Sequence, residues 1–385
     1  MTWINFLHLY QPANIDNYHI QEALDKSYFR LLRLLEENLN LKMTFNISGC
    51  LLERLADIEG SDFIERIKKL NKSGRLELVS SAAYHGFLPL LPEDEIRKQI
   101  SENEEILKRF FGSEFKASGF FLPEMAYSKE VAKIIKDFGY SWIILDEISA
   151  SDRNLDFNKV FIDKESGLKV IFRNRVLSRA YPPDEVLKLF EQDNKILISA
   201  TDAELYGLRH EDPTAEMEMI ARAEKVKTKT ISDFISSFKD DEIKEIEIRN
   251  SSWESEEVDI LKGKPFILWF DKNNKIHRDL WKLTSLALSL GEKYKDDKNI
   301  KFYRWHLIRG LASCTFWWAS ANDFSASFGP YAWNPDIVER GLSDLLRSIR
   351  TIEDKRSLKE KLRAEKLNLK IKKELWLKHW QKHWE

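Results

Sequence analysis

The feature that most constrains the fold is an alternation, over the first 200 residues, of short β-rich runs with longer amphipathic stretches. This order is typical of repeated βα units, which build a parallel sheet with helices packed against it. We predict about seven strands, at Trp3–Leu9, Lys42–Ser48, Leu76–Ser81, Ser118–Leu122, Trp142–Asp146, Leu168–Arg173 and Ile196–Thr201. About seven strands is the number expected for a small or incomplete barrel.

The character of the chain changes after about residue 235. A charged stretch, Asp240–Arg249, leads to a short apolar run, Pro265–Phe270. Beyond that run the apolar residues recur at the helical period. We therefore predict an α/β fold in which an incomplete seven-stranded (β/α) barrel, residues 1–260, carries the catalytic residues. An α-helical C-terminal bundle, residues 261–385, is expected to contribute to the active-site cleft.

Composition excludes several classes of function. The 61 basic and 63 acidic side chains give a formal net charge of −2, whereas a nucleic-acid-binding surface normally produces a basic excess. No apolar run approaches the ~18 residues of a membrane helix, and the first ten residues do not resemble a secretory signal. Two cysteines allow at most one disulfide, which fits a reducing compartment. We expect a cytoplasmic protein that binds neither nucleic acid nor membranes.

Polar side chains follow several of the predicted strands. Because chemistry in α/β barrels takes place at the C-terminal ends of the strands, these side chains are the candidates for a site. They are His8 and Tyr10 after the first strand, His85 after the third, Glu124 after the fourth, Asp146 and Glu147 after the fifth, and Asp202 and Glu204 after the seventh. Carboxyl groups on two strands, framed by aromatics and without a metal-ligand pattern, suggest glycosidic bond chemistry. Helix capping is the alternative for such carboxylates, and we favour it slightly for Asp146.

Five segments together resemble glycoside hydrolase family 57, whose retaining enzymes act on α-glucans. The segments are His8–Pro12, Gly74–Glu77, Phe121–Glu124, Asp202–Gly207 and, more loosely, Trp317–Asp323. Their order and spacing agree with the family over most of the chain. The resemblance implies a seven-stranded (β/α) barrel followed by a helical bundle, with Glu124 as the nucleophile and Asp202 as the general acid/base. We expect neither a cofactor nor a metal ion.

The chain departs from the family's pattern at three places. Tyr10 replaces the second histidine of the first segment; it can donate a hydrogen bond to a sugar hydroxyl but does not titrate near neutrality. Phe121 stands where the family usually has a tryptophan, as a smaller platform of the same kind. Residues 208–210, Leu-Arg-His, stand where a tryptophan often follows the acid/base segment. These differences bear on the identity of the substrate more than on catalysis.

Further substrate contacts are expected from both predicted domains. Glu77 and Glu204 are interpreted as orienting sugar hydroxyls or tuning the catalytic pair, while His8 and His85 contact the sugar. The run 310–335 contains a single charged residue, Asp323, and a carboxylate in so apolar a run needs a partner, so we predict that it binds sugar hydroxyls. Candidate platforms for stacking on sugar rings are Trp253, Trp317 and Trp318, although aromatics at helical spacing are more often part of a core.

The predicted reaction is a double displacement on an α-1,4-linked glucan or maltooligosaccharide. Two carboxyl groups about 5–5.5 Å apart suit this retaining mechanism. Water as the second acceptor gives a hydrolase, a glucan 4-hydroxyl gives a 4-α-glucanotransferase, and a 6-hydroxyl gives a branching enzyme. One alternative is a metal-dependent polysaccharide deacetylase, but no His pair of the required spacing precedes the last helix. The other is a non-catalytic carbohydrate-binding relative, against which the retained Glu124 and Asp202 argue.

Overall fold

The computed structural model describes residues 1–59, 62–152, 154–189, 192, 195–321 and 332–383. The chain falls into two compact units. Unit 1 comprises Met1–Gln11, Ile15–Ala83 and Leu88–Trp253; unit 2 comprises Pro12–Asn14, Tyr84–Phe87 and Glu254–Glu385. Within the described ranges every strand lies in unit 1, and the regular elements of unit 2 are helices. No described helix is both long and apolar enough to cross a membrane.

Unit 1 contains two sheets. The strands are β1 (Thr2–Leu9), β2 (Met43–Ile47), β3 (Leu76–Val79), β4 (Gly119–Phe120), β5 (Trp142–Asp146), β6 (Phe161–Asp163), β7 (Lys169–Arg173), β8 (Ile196–Asp202), β9 (Lys227–Lys229) and β10 (Lys244–Ile246). One sheet has the order β3-β2-β1-β8, with β9 also paired to β1, and the other has the order β10-β6-β7-β5-β4. The pairings of these strands are parallel except that of β6 with β7. All seven predicted strands are present, and β6, β9 and β10 are additional.

The central strand β1 explains why the sequence reads as a parallel sheet. Seven of its eight residues are buried, as expected for a strand covered on both faces. In the register of the sheet, His8 lies opposite Asn46 of β2 and Asp202 of β8. The C-terminal ends of these three strands therefore meet at one edge of the sheet.

Hydrogen bonds also connect the two sheets. Ser80, just after β3, donates from its backbone N to Gly119 O at 3.1 Å and accepts from Phe121 N at 2.8 Å. On the other side, Asn174 N, just after β7, donates to Ile198 O of β8 at 2.8 Å. Buried side chains from both sheets share one apolar core. The strand ends of the two sheets are thus held together within unit 1.

Helices occur in both units. In unit 1 they are α1 (Asn17–Ala23), α2 (Phe29–Glu37), α3 (Gly49–Glu59), α4 (Asp62–Lys72), α5 (Glu93–Phe111), α6 (Lys129–Asp137), α7 (Arg175–Arg179), α8 (Pro182–Lys188), α9 (Glu216–Arg222) and α10 (Ile231–Ile235). In unit 2 they are α11 (Glu257–Leu261), α12 (Lys275–Lys293), α13 (Ile300–Gly310), α14 (Cys314–Trp317), α15 (Pro335–Thr351) and α16 (Leu358–His383). Side-chain caps mark the starts of some of them, as where the Ser128 side chain accepts from Val131 N before α6.

Small residues allow close packing inside unit 2. A Cβ placed on Gly310, at the end of α13, would lie 2.7 Å from Leu345 Cγ of α15. One on Gly341 of α15 would lie 2.1 Å from Thr315 Oγ1 of α14. Larger side chains at either glycine would force these helices apart.

Candidate active site

Glu124 lies in a tight turn after β4. Its backbone has φ 61° and ψ 17°, and Met125 has φ 47°, so two consecutive non-glycine residues adopt the left-handed conformation. Such residues are uncommon, and they concentrate at functional sites because the surrounding structure has to compensate the strain. Pro123 and Met125 are buried, and Trp253 N donates to Glu124 O at 3.0 Å. The turn is thus fixed by its surroundings.

Trp253 is the main described partner of the Glu124 side chain. Its indole Nε1 donates to Glu124 Oε2 at 2.8 Å, a charge-assisted hydrogen bond when the carboxyl is ionised. Only 8% of Trp253 is exposed. Protein thus covers most of the ring, and its described contact with Glu124 is made through the indole N–H; the assignment of Trp253 as a sugar platform stays a prediction.

A buried ion cluster supports Trp253. The guanidinium of Arg173 lies 5.0 Å from the centre of the Trp253 ring, and Arg175 Nη1 donates to Trp253 O at 2.8 Å. Both arginines bind the fully buried Asp146, at 2.8 Å from Arg173 Nε and 3.0 Å from Arg175 Nη1. Asp146 Oδ1 also accepts from Ile148 N at 2.9 Å. The predicted cap at Asp146 is confirmed, and the same carboxylate holds the two cations that fix Trp253.

His8 connects the surroundings of Glu124 to those of Asp202. Its ring lies 6.2 Å from that of Trp253, centre to centre, and its residue is paired in register with Asp202. Nδ1 lies 2.8 Å from Asn46 Oδ1; since Asn46 Nδ2 donates to the Val79 carbonyl at 3.2 Å, Oδ1 accepts and Nδ1 carries the proton. Burial lowers the pKa of His8 to about 4, although the Asp202 carboxylate acts in the opposite direction. The imidazole is therefore neutral at physiological pH.

Asp202 is the last residue of β8 and is paired with an exposed cation. Arg209 Nη1 lies 2.7 Å from Asp202 Oδ2, and the two side chains are 58% and 28% exposed, respectively. The Asp202 carboxylate raises the pKa of Arg209 further above its usual range. Arg209 belongs to the Leu-Arg-His segment that departs from the family pattern.

Glu204 lies behind this pair. It is 2% exposed, and its Oε1 accepts from Gln11 Nε2 at 2.9 Å and from the Tyr28 hydroxyl. Burial raises the pKa of Glu204, the Arg209 cation opposes that change and the Asp202 carboxylate adds to it. The structure therefore makes Glu204 an internal neighbour that influences Asp202, and not a group that binds sugar hydroxyls directly.

Comparison with known proteins identifies the family. The profile of Glycosyl hydrolase family 57 matches residues 4–249. The chain belongs to this family. The alpha-amylase of Pyrococcus abyssi is 27% identical over 224 residues, 54% of this chain and 34% of the relative. The 4-alpha-glucanotransferase of Thermococcus kodakarensis is 25% identical over 224 residues, with the same shares. The match thus spans about a third of the length of these curated relatives.

Solved structures of similar fold include other members of family 57. The branching enzyme of Thermococcus kodakaraensis aligns with a TM-score of 0.70 at 16% identity, covering 95% of this chain and 94% of that one. The 4-alpha-glucanotransferase of Thermococcus litoralis aligns with a TM-score of 0.69 at 17% identity, covering 90% and 58%. At these identities the likeness concerns the fold, an α/β arrangement of mixed sheets and helices. The family resemblance drawn from the five segments is confirmed.

Two aromatic residues of the family 57 segments lie against His8. Tyr10, in place of the second histidine, stacks on the His8 ring with centres 5.7 Å apart. Phe121 lies 4.5 Å from the same ring but is completely buried. Phe121 therefore supports His8 from within the core, and its assignment as a sugar platform stays a prediction.

Glu77, from the family's second segment, is not brought to this cluster. It is the second residue of β3, and its register partner Thr44 lies two residues before Asn46. Its carboxylate accepts from Thr44 Oγ1 at 2.9 Å, from Ser232 N at 3.1 Å and from the Ser232 hydroxyl. Its oxygens are thus taken up at the start of α10, and its expected role, orienting sugar hydroxyls or tuning the catalytic pair, stays a prediction.

Four predicted substrate contacts belong to segments outside unit 1. His85 is buried, with φ 58°, and its Nδ1 lies 2.9 Å from Ser313 Oγ. Trp317 and Trp318 are half-buried, with ring centres 4.7 Å apart. Asp323 lies outside the described residues. The assignment of these four residues to sugar binding stays a prediction.

Sequence reasoning missed several residues of the site. Arg173 and Arg175 are visible in the sequence as cations directly after an apolar run, but their carboxylate partner is set by the pairing of β5 with β7, where Asp146 lies opposite Arg173. Tyr28 and Gln11 carry no local signal of their contact with Glu204. Arg209 was noted only as a departure from the family pattern.

Proposed function

We propose that this family 57 protein is a retaining glycoside hydrolase or transglycosylase acting on α-1,4-linked glucans or maltooligosaccharides. One observation carries the proposal: Glu124 sits in a strained turn and receives the Trp253 N–H, while the neutral His8 connects that turn to Asp202. Double displacement requires two carboxyl groups, one as nucleophile and one as acid/base. Here they come from different strand ends, and their partners differ: an indole N–H at Glu124 and a guanidinium at Asp202. The names of the curated relatives, alpha-amylase and 4-alpha-glucanotransferase, agree with this substrate class.

The proposal includes the finer architecture. The catalytic domain, residues 1–260, is an incomplete (β/α)7 barrel made of β8, β1, β2, β3, β4, β5 and β7 in that order, followed by a helical domain, residues 261–385. The bonds of Ser80 to β4 and of Asn174 to β8 support this ring. The C-terminal ends of its strands carry both carboxylates, as barrel enzymes do.

In the first step Glu124 attacks the anomeric carbon while Asp202 protonates the departing glycosidic oxygen. This forms a β-linked glycosyl ester on Glu124 and releases the leaving sugar as an alcohol. In the second step Asp202 removes a proton from water or a sugar hydroxyl, whose oxygen attacks the same carbon from the opposite face. The Glu124 carboxylate departs, and the product keeps the α configuration.

The ion pair at Asp202 adds a requirement to this cycle. Asp202 is paired with Arg209 in the free protein, yet it has to carry a proton when the substrate is cleaved. Because the Arg209 side chain is 58% exposed, it is able to turn into solvent when a sugar occupies the site. When the Arg209 side chain returns after the first step, it favours the carboxylate form of Asp202, which then serves as the base.

Azide rescue tests the two roles separately. With an aryl α-maltoside as substrate, Asp202→Ala plus azide should yield the α-glycosyl azide, because azide attacks the β-linked intermediate. Glu124→Ala plus azide should yield the β-glycosyl azide, because azide replaces the carboxylate and attacks the substrate directly. Glu130→Ala, a change at an exposed position of α6, serves as the control and should keep wild-type turnover. Exchanged configurations would reject the assignment, and unchanged turnover without azide would exclude either residue from its role.

The acceptor is identified by the products formed from maltoheptaose. Shorter sugars alone indicate hydrolysis, a ladder in both directions indicates 4-α transfer, and new 1,6 linkages indicate branching. Release of acetate from an acetylated polysaccharide, with maltoheptaose untouched, would instead support the deacetylase alternative, which the family match does not favour.

A further inference from the structure

Three metal-ligating side chains converge at a second place in unit 1. They are Asp184 of α8, His210 in the loop after β8, and Glu216 at the start of α9. One ligand atom from each lies within 4.8 Å of the others, and all three residues are half-buried. We propose that this triad binds a divalent transition-metal cation, with Zn²⁺ as the best match to its ligands. Neither Glu124 nor Asp202 belongs to it.

The charges around the triad support a cation. Across the ranges that the structure describes, Asp184 and Glu216 form no ion pair, and Glu216 Oε2 is buried without a hydrogen-bond partner. Arg30, the neighbouring cation on this side, is bound to Asp212 and Glu218. A buried carboxylate oxygen without a donor is costly, and a metal ion would compensate both carboxylates at once.

The geometry and chemistry of the donors favour Zn²⁺. Ligand atoms about 2.0–2.2 Å from a zinc ion lie roughly 3–4 Å from one another, so the present spacing closes with small side-chain rotations. One imidazole nitrogen with two carboxylates suits first-row transition metals, whereas Ca²⁺ and Mg²⁺ prefer all-oxygen sites. The His210 ring is held against Tyr181, with centres 4.0 Å apart at 28°. Its orientation is therefore set before a metal binds.

The triad would also fix the loop that carries Arg209. Gly207 N donates to His210 O at 3.0 Å. Gly207 has φ 118° and packs so closely against the backbone of Lys26 that a Cβ at this position would lie 2.1 Å from Lys26 O. A metal ion bound by His210 would also connect this turn to Asp184 of α8 and Glu216 of α9. The site stands on its own geometry and does not depend on the proposed reaction.

Zinc binding to the full chain tests the proposal. Metal-free protein is titrated with ZnCl₂ by calorimetry, and melting is followed with and without the ion. We expect one zinc per chain and a higher melting temperature, because an ion that binds only the folded state stabilises it. His210→Gln and Glu216→Gln should each weaken binding by about tenfold or more. The matched controls His19→Gln and Glu211→Gln, both at exposed positions, should bind as wild type does.

The variants are separated from folding defects by their metal-free melting temperatures. If His210→Gln does not fold, Glu216→Gln is the decisive variant. Among the described atoms Glu216 Oε2 has no hydrogen-bond partner, so replacing this oxygen breaks no bond within the protein. Zinc binding weaker than about 1 mM in wild type would overturn the proposal. So would a stoichiometric zinc that survives both variants, or Ca²⁺ binding as tightly as zinc. Zinc binding that is retained in Asp202→Asn would keep the site distinct from the catalytic carboxylates.

Discussion

Replacing Trp253 with phenylalanine isolates the contribution of one hydrogen bond to the proposed nucleophile. The change keeps an aromatic ring next to His8 and Phe121. It removes the indole N–H that lies 2.8 Å from Glu124 Oε2. The two reaction steps should respond differently, because Glu124 loses its negative charge as the glycosyl ester forms and regains it as the ester is cleaved.

The magnitude follows from the difference between two kinds of hydrogen bond. A bond to a charged group contributes about 1.5–3 kcal/mol, and one between neutral groups about 0.5–1.5 kcal/mol. The Trp253 N–H therefore stabilises the carboxylate over the ester by about 1–1.5 kcal/mol, or about tenfold in rate. Losing it should slow cleavage of the glycosyl ester by roughly this factor while leaving its formation equally fast or faster. The intermediate should then accumulate.

The assay is a pre-steady-state measurement with an aryl α-maltoside whose leaving group is released in the first step. Trp253→Phe should show a burst of the aryl alcohol, and intact mass spectrometry should detect the glycosyl-enzyme. Trp142→Phe is the matched control, because Trp142 is buried in the same core but donates to the neutral Ser232 Oγ, at 3.1 Å. Both variants should lose stability, and only Trp253→Phe should show the burst. A burst in both variants, or in neither, would refute the reasoning.

Three further predictions concern neighbouring residues. Asp146→Asn leaves the buried cations of Arg173 and Arg175 without their carboxylate and should lower the free energy of unfolding by about 3–5 kcal/mol in urea titrations; a loss below 1 kcal/mol would contradict it. Arg209→Gln removes the cation that has to leave Asp202 before the leaving oxygen is protonated, so release of the aryl alcohol from an aryl α-maltoside should be at least as fast as in the wild type. Because the pKa of His8 is about 4 in the folded chain against an ordinary 6.5, the unfolded chain takes up a proton first as the pH falls. His8 should therefore cost up to about 3 kcal/mol of stability between pH 6.5 and 4, a component that His8→Asn should lack.

The sequence predicted the strands well where burial is continuous. β1, β5 and β8 are long apolar runs because both faces of the sheet are covered. The strands β6, β9 and β10 are three residues each, too short for a periodicity to register. They are defined by their partners, which a single sequence does not reveal.

The candidate site was predicted less evenly. Glu124 is recognisable in the sequence because the next helix has its own cap at Ser128, so Glu124 is not needed as a cap, and because Pro123 fixes the backbone before it. The contacts of Glu77 with Thr44 and Ser232 could not be predicted, because a motif gives a place in the sequence but not the partners that neighbouring elements supply. The partner of Trp253 is Glu124, 129 residues away, and such contacts arise only once the strand ends of the two sheets are assembled.

The two proposed catalytic carboxylates differ in how firmly their partners are held. Glu124 is fixed by Trp253, which is 8% exposed and supported by the buried Asp146 cluster. Asp202 is paired with Arg209, which is 58% exposed. A nucleophile has to remain ionised and aimed, whereas an acid/base has to exchange a proton in every cycle. A permanent donor at one carboxylate and a releasable cation at the other therefore suit two different roles, and this asymmetry supports the proposed attack by Glu124 and proton transfer by Asp202 independently of the sequence segments.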